Sequence, residues 1–180
     1  MKDYKIPAGE ARERTVAWPD PSKAAALTAG LSGLEIMRGI RDGRLPGPSM
    51  AYLIGFRCVK AEPGETEMRL DYGQSLENTM GMLHGGAAAT MLDTTMGCAA
   101  HTMLPTGAGI ITLDLTITYL RPVTARTGAI TASGRVINAG RRTIYVGGEV
   151  HADDGSLMAH AVGNFSVVGE RSRTEGAAGT

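Results

Sequence analysis

The sequence predicts an α+β fold in which about six antiparallel strands wrap one long helix, preceded by a helical N-terminal extension. Two observations carry this. Four runs in the second half alternate apolar and polar residues with period two, separated by turn signals such as Asn138-Ala139-Gly140 and Asp153-Asp154-Gly155. Between the first strands and those runs lies one uninterrupted helix-forming segment, starting at His84-Gly85-Gly86 and passing through Asp93 and Cys98. At 180 residues the chain has room for one such body with a sizeable core.

Residues 1–20 read as polar and irregular, and Asp20-Pro21 as a helix start, since Pro is tolerated in the first turn. Ser32-Gly33-Leu34-Glu35 fits a capping box, in which hydroxyl and carboxylate each satisfy a free backbone N–H. Leu34, Met37 and Ile40 then repeat at helical spacing, and Gly43 marks the stop. Residues 1–47 are assigned to an extension that packs on the body or on a partner chain, 48–168 to the body, and 169–180 to a flexible tail.

The pattern shifts to strands at Met50, giving expected strands over Met50–Lys60 and Glu65–Leu70 around the turn at Glu62-Pro63-Gly64. Ile111, Leu113, Leu115, Ile117 and Tyr119 alternate with Thr112, Asp114, Thr116 and Thr118, so the first set is assigned to the core face. Ile130 to Val136, Ile144 to Val150 and Leu157 to Phe165 repeat the alternation, and their turns make them antiparallel neighbours.

The long helix carries two stripes. Ala88, Met91, Leu92, Thr95, Met96 and Ala99 follow the i, i+3, i+4, i+7 rule and form the face a sheet covers. Gly86, Ala89, Thr90, Asp93, Gly97 and Ala100 form a second strip, small apart from the acid. A merely solvated face would be richer in Lys, Glu and Arg. The helix start leaves N–H groups unpaired and carries partial positive charge, and two glycines let an oxygen come close. That is oxyanion-hole geometry, although a Gly pair before a helix is equally consistent with a tight entry turn.

Composition excludes several classes. Eighteen basic residues balance eighteen acidic ones, so no footprint for nucleic acid is present. No apolar run reaches the roughly 20 residues of a membrane span, and Met1-Lys2-Asp3-Tyr4-Lys5 lacks a signal-peptide core. A soluble, cytoplasmic protein is the expectation. Cys58 and Cys98 are expected to be buried thiols rather than a disulfide. His101, His151 and His160 have no metal-ligand spacing, and no metal is expected; Asp114 reads as an ion-pair partner.

The stretch from Asn78 to Asp93, Asn-Thr-Met-Gly-Met-Leu-His-Gly-Gly-Ala-Ala-Ala-Thr-Met-Leu-Asp, resembles the signature of hotdog-fold acyl-CoA thioesterases of the phenylacetate-pathway type. The resemblance continues through Ile110 to Val123 and the Gly140-Arg141-Arg142 hairpin, covering roughly residues 48–168. It implies a curved sheet around the helix and subunits joined edge to edge, with dimers further paired into tetramers. It further implies hydrolysis of an acyl-CoA thioester without any cofactor beyond the CoA of the substrate. Gly85 is then the oxyanion donor, with Asn78 binding the same carbonyl and His84 ordering the loop or standing near the thioester. Asp93 is the base or nucleophile, and Thr112 falls where similar enzymes orient the water.

Gly86, Met80 and Met82 are candidates for substrate contact, the two methionines as lining of an adaptable acyl pocket. Arg121, Arg141 and Arg142 are candidates for the CoA phosphates, or else solvated charges. Gly85 and Asp93 lie eight residues apart on one helix, roughly 12 Å along its axis, whereas both partners of one carbonyl must lie about 3 Å from it. The dimer is thus a requirement of the chemistry, each site combining Gly85 and Asn78 of one subunit with Asp93 and Thr112 of the other. Two other classes stay open: an acyl-CoA-binding protein without turnover, and a hydratase or dehydratase of the same fold, which needs a catalytic His.

Overall fold

Six strands form one antiparallel sheet in the order β1-β2-β4-β5-β6-β3, where β1 is Phe56–Glu62, β2 Glu65–Leu70, β3 Ala108–Tyr119, β4 Ile130–Ala139, β5 Thr143–Ala152 and β6 Leu157–Gly169. The computed structural model describes residues 6–7 and 9–169. A 17-residue helix, α4 (Gly85–His101), packs on the inner face of the sheet against β4, β5, β2 and β3. This is the hotdog arrangement. Three helices precede it: α1 (Pro21–Thr28), α2 (Gly33–Arg41) and α3 (Ser49–Ile54). The tail expected at 169–180 lies outside the described residues, apart from Gly169 at the end of β6.

The core is the stripe the helix periodicity picks out. Met91, Leu92, Thr95, Met96 and Ala99 are all but fully buried, and Phe56, Met68, Ile130, Ile144, Val146 and Phe165 face them from the sheet. Buried hydroxyls are satisfied: Thr66 donates to the Thr95 carbonyl at 2.7 Å, and Thr102 accepts from the Gly64 N–H at 2.8 Å. The second bond ties the β1–β2 turn to the end of α4. Glycine sets how closely helix and sheet approach, because a Cβ on Gly134 would stand 2.9 Å from the Thr95 carbonyl oxygen and 3.0 Å from the Met96 Cα. Those contacts are backbone, which cannot swing aside. Gly134→Ala is expected to cost about 1–3 kcal/mol, read as a lower urea midpoint at unchanged m-value.

Asp20 caps α1 by accepting from Ser22 N–H at 2.9 Å, and Ser32 and Glu35 form the complete capping box of α2. Of these two helices, α2 is the one anchored in the body. Met37 is buried, and Gly33 lies so close to the end of α4 that a Cβ there would collide with the His101 carbonyl. No residue of α1 is buried.

Three expectations are corrected. Residues 50–54, assigned to a strand, belong to α3. Pro48 starts that helix in extended conformation, and Gly55 ends it at φ 101° with its N–H on the Ala51 carbonyl. Every residue from Met50 to Ile54 is apolar or aromatic, so the alternation was indecisive; Ala51 and Ile54, three apart, face the body. Ala100, assigned to the second, small-residue strip of α4 rather than to the sheet-covered face, is fully buried within the chain. Ile111 and Leu113 do not face the core and are 56% and 59% exposed.

The cause of the last is a bulge. Thr112 pairs with Phe165 and Asp114 with Asn164, leaving Leu113 between them as an extra residue. Ile110 is inward before the bulge, and Leu115 and Ile117 are inward after it.

Candidate active site

The segment before α4 is a tied loop. Asn78 donates its backbone N–H to the Met82 carbonyl at 2.7 Å, and its side-chain oxygen accepts from the N–H groups of Met80 at 2.8 Å and Met82 at 3.3 Å. With that oxygen committed, the Asn78 amide presents only its NH2 group. The Tyr72 hydroxyl donates to the Glu77 carboxylate at 2.7 Å and to the Gly81 carbonyl at 3.2 Å. The carboxylate beside it pushes the Tyr72 phenol up to about 12, so it stays a donor. Leu83 N–H on Val123 and His84 N–H on Leu76, both 2.8 Å, fix the chain as it enters the helix.

His84 is the N-cap of α4. Its Nδ1 accepts from Gly86 N–H at 2.9 Å, which fixes the proton of the neutral ring on the other nitrogen. The glycines follow from this packing. A Cβ on Gly86 would lie 3.0 Å from His84 Nδ1, and one on Gly85 would lie 3.3 Å from the Tyr119 ring. Gly86 N–H is thereby used, and among the described residues none accepts from the N–H of Gly85. Replacing His84 by Ala removes the cap and is expected to lower stability by about 1 kcal/mol, read as a drop in Tm that His84→Asn largely reverses.

Tyr119 belongs to this site and was not singled out from the sequence. Its hydroxyl donates to the Gly85 carbonyl at 2.8 Å, and burial raises its pKa above the ordinary phenol value. The alternating run assigned it to the core face, whereas it is 51% exposed and lies over the start of α4 at the surface. Tyr119 also lines a cavity of about 310 Å³ with Met82, Gly85, Leu120, Arg121 and Met158. Met80, by contrast, is 76% exposed and lines no part of it.

Two helical turns along α4, the half-buried Asp93 carboxylate accepts from the Thr112 hydroxyl through Oδ1 at 2.8 Å. Thr112 thus orients the acid, leaving Oδ2 free of it. Thr112 and Tyr119 are seven residues apart, an odd number that strict alternation would place on opposite faces. The Leu113 bulge turns both toward α4.

One chain therefore holds two separate groups of candidate residues: Gly85, Asn78, Tyr119 and Arg121 at the start of the helix, Asp93 and Thr112 farther along it. Arg141 and Arg142 lie in the β4–β5 turn, next to the strand end that pairs with Gly109–Ile111, and so at the Asp93 end of β3. Among the described residues Asp114 pairs with no cation; its carboxylate accepts from the Asn164 side chain at 3.0 and 3.3 Å, which corrects its assignment as an ion-pair partner. Cys58 and Cys98 are free thiols. Among the described residues no three of His, Cys, Asp and Glu converge as a metal site would require, and no helix is long and apolar enough to cross a membrane.

The model of the Thioesterase superfamily matches residues 80–159, which include the start of α4, Asp93 and Thr112. A Halobacterium salinarum protein provisionally described as an esterase is 38% identical over 92 residues, 48% of this chain and 59% of its own length. A similarly described Saccharolobus solfataricus protein is 30% identical over 112 residues, 62% of this chain and 78% of its own. Among solved structures, a phenylacetic acid degradation-related protein from Ralstonia eutropha has a TM-score of 0.66 at 27% identity, covering 73% of this chain and 98% of that one. A Streptococcus mutans protein solved with acetyl CoA has a TM-score of 0.59 at 26% identity, covering 65% and 91%. The chain belongs to the thioesterase superfamily. That places it among the hydrolases.

Proposed function

We propose that the protein hydrolyses an acyl-CoA thioester to the carboxylic acid and free CoA, at sites shared between two subunits. The observation that carries this is the pair of half-sites on α4: a helix-start N–H without an acceptor among the described residues, and a carboxylate oriented by Thr112 two turns away. In the shared site, Gly85 N–H and the Asn78 amide of one subunit bind the thioester oxygen, and Asp93 of the other acts on the carbonyl carbon. With Asp93 as base, water gives a proton to the carboxylate and adds to that carbon, the carbonyl electron pair moves onto the oxygen facing Gly85, and its return expels the CoA thiolate, which takes the proton from Asp93. With Asp93 as nucleophile, its own addition expels the thiolate and leaves a mixed anhydride, which water then cleaves to the acid and the free Asp93 carboxylate, its released proton going to the thiolate.

Such a site needs no metal, because a thioester carbonyl is already electrophilic and the fixed dipoles meet the developing charge. The acetyl CoA held by the Streptococcus mutans neighbour supports CoA as the carrier. Arg121 at the cavity beside Gly85, with Arg141 and Arg142 of the other subunit, supplies phosphate contacts. The edge strand β3, with its exposed Ile111 and Leu113, is the surface through which two sheets join. A hydratase is disfavoured, since the nitrogen His84 would use is already bonded to Gly86 N–H.

A panel of phenylacetyl-, benzoyl- and medium-chain acyl-CoA esters, assayed for released thiol alongside sedimentation of the protein, tests the reading. Thiol release from a dimer or a pair of dimers is expected. Absence of release across the panel, or full activity in a monomer, overturns it.

A further inference from the structure

A second cavity, of about 500 Å³, separates the N-terminal extension from the body. Its floor is Thr94 and Cys98 of α4, the first adjoining Asp93 and the second about one and a half turns beyond it. Phe56, Cys58 and Met68 of the sheet form one wall. The roof is the extension and the helix that follows it: Met37 and Ile40 of α2, the turn from Leu45 to Pro48, and Tyr52 of α3.

Among the described residues the lining contains no carboxylate and no side-chain amide. Its three arginines are already engaged, Arg41 with Asp42 at 2.8 Å, Arg44 with Asp42 at 3.0 Å and Arg57 with Asp71 at 3.0 Å. What remains for a ligand is mostly hydrocarbon with the rings of Tyr52 and Phe56, the Tyr52 and Thr94 hydroxyls, and two thiols, of which Cys58 Sγ already donates to the Lys60 carbonyl at 3.3 Å. Burial pushes Cys58 up to about 11 and Cys98 up to about 12, so neither is a thiolate that would itself attack a thioester at neutral pH.

We infer that this cavity is the acyl pocket, and that the extension, by roofing it, selects an uncharged acyl group larger than acetyl, an aryl or medium-chain one. The inference rests on the thioesterase reading. In the shared site the two substituents of the carbonyl leave toward different subunits. On the Gly85 side lies the smaller cavity with Arg121 beside it, suited to the phosphate-bearing arm. On the Asp93 side lies this one, apolar and of the 300–1,000 Å³ size in which small ligands are enclosed. The phosphates and amides of the CoA arm would find there arginines already paired and few polar groups besides two hydroxyls, whereas a hydrocarbon group requires none.

Two substitutions fill the pocket from opposite sides. Cys98→Trp fills it from the floor. Gly47→Leu fills it from the roof, where a Cβ finds ordinary contacts at 3.6 Å to Ile40 and 3.9 Å to Tyr52. The full chain and both variants, checked for wild-type folding by thermal unfolding, are assayed with acetyl-, hexanoyl-, octanoyl- and phenylacetyl-CoA. The wild type is expected to favour the larger groups, and each variant to reduce the kcat/KM ratio of octanoyl to acetyl roughly tenfold or more, the scale set by single methylenes in apolar pockets. An unchanged ratio in both folded variants, with turnover still abolished by Asp93→Asn, overturns the pocket while leaving the thioesterase reading intact. Absence of any Asp93-dependent hydrolysis overturns that reading, and this inference with it.

Discussion

Asp93→Asn is expected to reduce thiol release roughly 10²–10⁴-fold, the contribution of a positioned acid–base group. The substitution keeps the shape of the side chain and an oxygen to accept from Thr112 Oγ1, so the 2.8 Å contact and the thermal unfolding midpoint should both be retained. What is lost is the negative charge. Undiminished turnover by the pure variant would remove Asp93 from the mechanism and leave the oxyanion site without its partner. A single turnover in labelled water then tests for the covalent route. Heavy oxygen entering the Asp93 carboxylate identifies a nucleophile whose mixed anhydride is cleaved at the aspartyl carbon, while label confined to the product shows that water added to the substrate carbonyl, as it does when Asp93 is a base.

Mixing two inactive proteins should recover activity. Asn78→Ala removes the amide from the oxyanion half-site, and Asp93→Ala removes the acid from the other. If each site draws one half from each subunit, a mixed dimer contains one site with both defects and one with neither. Random exchange makes half of the dimers mixed, so about a quarter of wild-type activity is expected at equal total protein. Exchange is verified by mass or by a tag on one variant. No recovery in a verified mixture would show that each chain works alone, against the roughly 12 Å between Gly85 and Asp93 along the helix.

What the sequence made readable was whatever depends on periodicity or on local chemistry. The core stripe of α4 from Met91 to Ala99, the capping box at Ser32 and Glu35 and the hairpin turns are all found where those patterns place them. Apolar content without a dominant period misled at Met50–Ile54, where Pro48 and Gly55 define a short helix. Ala100 misled for a different reason: residues remote in sequence cover it, and small side chains do not announce which neighbour they admit. At the site, the sequence singled out Gly85, Asp93 and Thr112, but the hydrogen bond joining the last two is a tertiary fact. Tyr119 went unnoticed because its partner, the Gly85 carbonyl, is backbone and leaves no mark in the sequence. The acyl-pocket inference likewise depends on the fold, since it joins α2 and α3 to Thr94 and Cys98 across more than forty residues of chain.

The bulge at Leu113 limits how the length of this protein can vary. Insertions and deletions are usually harmless in loops and harmful in strands, but here the damage depends on parity. Between Thr112 and Tyr119 the removal of one residue would restore a regular ladder and turn one end of the site away from α4, so that the acid would lose its hydroxyl or the glycine its phenol. A change of two residues would preserve facing but shift the register against β6. The strand can therefore exchange its residues while its count stays fixed, and a homologue with one residue fewer in this segment should have rebuilt one half of its site.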